Sequence, residues 1–120
     1  MKDIYKYIDE NIEEYISDLQ ELIRKPSVSA QNLGLAECAE FVKEQMHNDG
    51  LPAELHEIPG GPPLVFGHLK SSLSKKTLFC YSHYDVQPPE PIEKWSHGGP
   101  WSGALVDNVI YGRGATDNKG

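Results

Sequence analysis

The chain has 120 residues, 38% of them hydrophobic and 24% charged, which excludes a disordered or fibrous repeat and fits one globular core. A chain of this length is expected to bury about two-thirds of its unfolded surface. The formal net charge of −7 repels phosphate backbones and anionic lipid, so neither nucleic acid nor a membrane is expected as partner.

The opening stretch MKDIYKYIDENIEEYI is acidic throughout and carries no continuous apolar run of the kind a secretory leader needs. Cys38 and Cys80 are too few to staple a secreted domain, so a reduced, cytoplasmic compartment is expected. Any metal would then be held by histidine and carboxylate rather than by a thiolate cluster.

Ile4, Ile8, Ile12, Ile16, Leu19 and Ile23 recur every three or four residues, which predicts one amphipathic helix closed by Arg24 and Lys25 and stopped by Pro26. A loop, Pro26 to Ala30, follows. A second helix is predicted from about Leu33, with Leu35, Cys38, Ala39, Val42 and Met46 as its buried face and Asn48-Asp49-Gly50 as a left-handed stop. Ala53 to Ile58 and Leu64 to Leu69 read as short neighbouring strands around the breaker run Pro59-Gly60-Gly61-Pro62-Pro63. Thr77 to Tyr81 is nearly continuously apolar, as a central strand covered on both faces would be. Ala104 to Val106 and Val109 to Tyr111 flank Asp107-Asn108, a pair able to adopt the positive φ angles of a two-residue hairpin turn. The element order predicts an α/β fold, a mixed, mainly parallel sheet flanked by helices.

His83 and Asp85 follow directly on the apolar run, and the carboxyl ends of strands are where open α/β sheets bind ligands. In extended chain, positions 83 and 85 face the same side, so an imidazole meets a carboxylate that can fix its tautomer for metal binding. Read alone, the tripeptide fits more readily a histidine capping a strand end through backbone hydrogen bonds. The second constellation is Tyr111-Gly112-Arg113-Gly114-Ala115-Thr116-Asp117-Asn118-Lys119-Gly120. It lacks the spacing of a dinucleotide fingerprint and the Gly-Lys-Ser/Thr ending of a phosphate loop. Asp117 there fits either a carboxylate shared by two metal ions about 3.5–4 Å apart or an Asx-turn residue.

Together, His83-Tyr84-Asp85-Val86-Gln87-Pro88 and Tyr111 to Gly120, with Trp95, Pro100 and the Asp107 hairpin between them, resemble the zinc peptidase family of carnosine dipeptidases, aminoacylases and succinyl-diaminopimelate desuccinylases. Pro26-Ser27-Val28-Ser29 is similar to that family's loop after the first helix, and Gln87-Pro88-Pro89-Glu90-Pro91 with Trp95 is similar to the cytosolic dipeptidase branch. The resemblance implies a phosphorylase/hydrolase-like catalytic domain and two zinc or manganese ions. His83 would be a ligand of one ion, Asp117 a bridge between both, and Asp85 the residue that orients His83. It implies a cis peptide at Asp117-Asn118, a small peptide as substrate and a homodimeric parent enzyme. Asn108 stands where the family has glycine.

By the same resemblance the general base and the remaining ligands lie beyond Gly120. Residues 1–120 are thus expected to be the N-terminal portion of a catalytic domain, inactive alone, without the rest of that domain or the dimerisation domain. Two other readings stay open: a related two-zinc aminopeptidase or amidohydrolase/deacylase, and a noncatalytic truncated module. Lys119 after Asn118 argues against the aminopeptidase family, whose motif has a small residue and serine there. His47, His56, His68 and His97 have no carboxylate or histidine at ligand-like spacing and are expected on the surface or in loops.

Overall fold

The computed structural model describes residues 2–120. The first periodic stretch forms two helices, α1 (Lys2–Glu10) and α2 (Ile12–Ile23), where one was expected. Asn11 causes the break: its side-chain amide donates to the Tyr7 carbonyl at 2.7 Å, and its own N–H turns back to Ile8 O. Such local side-chain bonds compete with the regular helical ladder. The apolar face predicted for this segment is open over α1, where Ile4 is 61% exposed, and only Ile23, at the far end of α2, is buried.

Residues 24–34 turn the chain over, and Val28 pairs with Leu33 across a short 3₁₀ turn at Ser29–Gln31. Helix α3 (Leu35–Asn48) buries Leu35, Cys38 and Ala39, while Val42 and Met46 of the predicted face are half-buried. It stops as its sequence requires: Gly50 takes φ +78°, its N–H reaches His47 O, and the Leu51 N–H reaches Met46 O. That pair of bonds is a Schellman cap, satisfying two carbonyls the helix would otherwise leave open.

Strands β1 (Ala53–His56) and β2 (Leu64–Gly67) pair antiparallel, as neighbours, with Ala53 opposite Gly67. Strands β3 (Ala104–Val106) and β4 (Val109–Tyr111) form a second hairpin, with Val106 opposite Val109. Its turn residues Asp107 and Asn108 both have positive φ, +50° and +63°, the requirement of a type I′ turn.

The mainly parallel sheet is not assembled among the described residues. Thr77–Tyr81, expected as its central strand, forms no strand, with Leu78 87% and Phe79 79% exposed. A strand forms only where a neighbour takes its N–H and C=O groups, and no described segment pairs with this one. Parallel pairing survives as one isolated bridge, Val28 with Val86. The α/β class stands, carried by three helices and two short antiparallel sheets.

The core is small: Ile23, Val28, Leu35, Cys38, Ala39 and Val86, with Ser27 and Lys119 buried among them. The accessible surface is 8993 Å². A closed domain of this mass exposes about 6,500 Å². The radius of gyration, 16.1 Å, likewise exceeds the value of about 14 Å for a compact chain of this length. The expected two-thirds burial is therefore not reached, because the apolar run 77–81 and the face of α1 lie open. Among the described residues no helix is long and apolar enough to cross a membrane.

Candidate metal centre

The loop after α2 holds the chain that carries His83 and Asp85. The Val86 N–H donates to Ser27 O at 2.8 Å, and the buried Ser27 hydroxyl donates to Tyr84 O at 2.6 Å. These two bonds keep residues 84–86 extended. Alternation then sends Val86 into the core and leaves His83 and Asp85 together on the rim, as the period of two predicts. Tyr84 is tied away from them, its phenol donating to Pro63 O at 2.7 Å; burial pushes its pKa up to about 12.

Asp117 arrives on the turn after β4. Gly114 takes φ +91°, and a Cβ there would lie 2.7 Å from Val86 Cγ1, so only glycine lets this turn close onto the strand end. The Arg113 N–H donates to Pro100 O at 2.7 Å, and the Lys119 N–H to Gly114 O at 2.9 Å. The Asp117–Asn118 peptide is cis, as the resemblance implied. The Ser82 hydroxyl reaches Asn118 O at 3.3 Å, joining the two stretches beside the site.

Asp117 and Asp85 meet opposite edges of one ring. His83 Nε2 lies 3.2 Å from Asp117 Oδ1, and His83 Nδ1 lies 3.2 Å from Asp85 Oδ1. Nδ1 also lies 2.9 Å from the Asp85 carbonyl, so the backbone contact of the simpler reading exists beside the carboxylate one. The Asp85 carbonyl is the main influence raising the His83 pKa; burial opposes it, and the charges of Asp85 and Asp117 add to it.

The arrangement fits a metal ion. Two donors each about 2.0–2.1 Å from a tetrahedral zinc stand about 3.3 Å apart. The 3.2 Å between Nε2 and Oδ1 is that edge. Asp85 lies against the other nitrogen, Nδ1, away from that edge. Among the described residues no group of three or more His, Cys, Asp or Glu is disposed to hold an ion. A cleft of about 210 Å³ opens beside the carboxylate, lined by Gln87 and residues 112–117.

Three contributors escaped the sequence reading. Ser27 ties down both Tyr84 and Val86. The Ser29 hydroxyl donates to Asp85 Oδ2 at 2.6 Å, holding the carboxylate that holds the imidazole. Lys119 is only 9% exposed; its ammonium donates to Leu22 O at 3.0 Å and to Lys25 O, carbonyls at the end of α2. Burial lowers its pKa, partly offset by the Cys38 thiol beside it. A proline-serine loop and an Asp-Asn-Lys run advertise none of this, since each partner lies more than fifty residues away. Arg113 donates to Pro88 O at 3.2 Å and sits 5.1 Å from the Trp95 ring centroid. His47, His56, His68 and His97 are all exposed.

Residues 79–120 match the model of a family described as peptidase family M20/M25/M40. The chain is 35% identical over 131 residues to the Cys-Gly metallodipeptidase dug1 of Schizosaccharomyces pombe, an alignment covering 98% of this chain and 27% of the relative. It is 35% identical over 103 residues to a succinyl-diaminopimelate desuccinylase of Methylorubrum extorquens, covering 84% of this chain and 26% of that protein. Among solved structures, the M20 family metallo-carboxypeptidase Sso-CP2 of Sulfolobus solfataricus superposes with a TM-score of 0.79 at 41% identity, over 84% of this chain and 23% of that one. The chain thus spans about a quarter of the length of the curated relatives it matches. Sequence likeness along nearly all of it, with backbone likeness over most of it, is thus likeness to metallopeptidases and their relatives, and residues 79–120 carry the match to peptidase family M20/M25/M40.

Proposed function

We propose that the protein containing this chain hydrolyses the peptide bond of dipeptides or small peptides at a two-zinc site, of which His83, Asp85 and Asp117 form one wall. The observation that carries the reading is the single imidazole with Asp117 on Nε2 and Asp85 on Nδ1, both at 3.2 Å. His83 would be a ligand of one ion through Nε2. Asp85, held by Ser29, would keep the proton on Nδ1 and so keep the Nε2 lone pair aimed at the ion. Asp117 would hold the same ion through Oδ1, and with 78% of its side chain exposed it has room on its far side for a second. When bound, such ions supply a more acidic water and a polarised scissile carbonyl. Manganese would fit the same donor types.

Two donors cannot complete two ions. We place the remaining ligands and the general base outside residues 1–120, and read these residues as part of a larger catalytic domain. The open apolar run Leu78 to Tyr81 and the surface in excess of a closed domain support that reading. A homodimeric enzyme in the cytoplasm is the accompanying expectation, in keeping with two unpaired cysteines, Cys38 and Cys80. The likeness to desuccinylases favours one second reading, removal of an acyl group from an amino acid.

The test is Asp117→Ala in the full-length protein, assayed on Cys-Gly, β-Ala-His and an N-succinylated amino acid, with metal content measured. We expect turnover to fall by at least a thousandfold and bound metal to drop below that of the parent. Turnover near the parent's would sink the bridging role, and activity confined to the succinylated substrate would replace the dipeptidase reading by the deacylase one.

A further inference from the structure

Asp117 is poorly held by its own side chain. Its carboxylate is 78% exposed and meets only the half-exposed His83 ring. Its direction must therefore come from the backbone on either side. On one side the turn rests on Arg113 N–H to Pro100 O, four residues away. Next to Asp117, the Asn118 carbonyl takes a single long bond, 3.3 Å, from an exposed serine. Lys119 is different in kind: its N–H is bonded to Gly114 O, and its ammonium runs under the end of α2 to two carbonyls there.

An ammonium has three donors, and here Leu22 O and Lys25 O take two of them. A buried charge is tolerated only when so compensated, and a cation at a helix C-terminus is favoured by the dipole. The alkyl stem packs beside Gly114, whose missing Cβ would lie 3.1 Å from Lys119 Cδ. Depth and direction are thereby both specified two residues from the carboxylate.

We infer that Lys119 is a positioning residue, a pin that fastens the 112–118 turn to the end of α2 and thereby sets Asp117 against His83. The inference rests on the metal-ligand reading of Asp117, but the pinning itself can be read without metal.

In the full-length protein, Lys119→Met keeps the stem and removes the charge, and Lys119→Arg keeps the charge on a wider head. Gln20→Ala is the comparison, because Gln20 Nε2 donates to Gly103 O and ties α2 to a loop that does not carry Asp117. In metal-free protein, we expect Lys119→Met to speed amide exchange at Arg113, Ala115 and Lys119 at least tenfold relative to Cys38, while Gln20→Ala leaves that ratio within threefold. With zinc, affinity should fall at least tenfold in Lys119→Met and at least threefold in Lys119→Arg. The visible spectrum of the cobalt-substituted protein should change in both variants and stay the same in Gln20→Ala.

Unchanged exchange ratios, or a cobalt spectrum and zinc affinity like the parent's in either lysine variant, would overturn the pin. If Lys119→Met does not fold, Lys119→Arg decides by the same measurements. A parent that binds no zinc would defeat the proposed function, and the exchange ratios would still decide the role of Lys119.

Discussion

Replacing Ser27 by alanine isolates the bond that keeps the His83 segment extended. Ser27 is wholly buried, and its hydroxyl donates to Tyr84 O at 2.6 Å. The substitution removes one oxygen, so the cavity is small and the cost comes from the carbonyl left without its partner. An unsatisfied buried group costs about 1–3 kcal/mol, and a carbonyl, which has two lone pairs, belongs to the lower half of that range. We therefore expect about 1–2 kcal/mol, felt first in local opening of residues 84–86. The reporter is the Val86 amide, which donates to Ser27 O and is sealed in the core. Its exchange in the full-length protein should accelerate about 5- to 30-fold at the rate of tenfold per 1.4 kcal/mol. The amide of Leu51, in the α3 cap, should be unaffected. Exchange at Val86 within twofold of the parent would show that Ser27 does not hold the strand end. Ser27→Thr is a useful companion: it keeps the hydroxyl but adds a methyl to a filled site, which costs about 1–3 kcal/mol by overpacking.

Gly114→Ala combines a left-handed backbone with a Cβ pressed on Val86, so melting of the full-length protein should show a loss of about 2–5 kcal/mol, summing αL and overpacking costs. Asn11→Ala removes the side-chain bond to Tyr7 O and raises helix propensity by about 0.5–0.7 kcal/mol, so α1 and α2 should fuse and far-UV circular dichroism should deepen. The Tyr84 phenol, raised to about 12, favours the neutral form in the fold, so its contribution to stability is complete below pH 10 and is lost as pH rises through about 12. The difference in phenolate absorbance between the parent and Tyr84→Phe should therefore appear near pH 12; a step near pH 10 would show that the phenol is not buried in solution.

Legibility in the sequence followed the range of the interactions. The type I′ turn at Asp107-Asn108 and the glycine stop of α3 depend on backbone preferences of adjacent residues, and both formed as read. The pairing of His83 with Asp85 needed only the alternation of extended chain. The break at Asn11 was missed because hydrophobic periodicity runs straight through it, while one amide side chain decides the geometry. Thr77 to Tyr81 has the composition of a central strand, but pairing is a property of two segments and composition describes one. Asp117 could be placed opposite His83 only through resemblance, since 33 residues of intervening loop and hairpin carry no pattern that fixes its direction. Ser27, Ser29 and Lys119 were invisible for the same reason, each acting on a partner far along the chain.

The few sealed side chains lie directly underneath the rim, with Val86 three positions from one ligand candidate and Lys119 two positions from the other. Foundation and workplace are thus the same masonry. A variant that loosens the packing here will read out as a defect of the candidate site, and one that retunes the rim will read out as instability. Efforts to toughen the protein would do better at a distance, on the β1–β2 hairpin or the open flank of α1, where neither coupling applies.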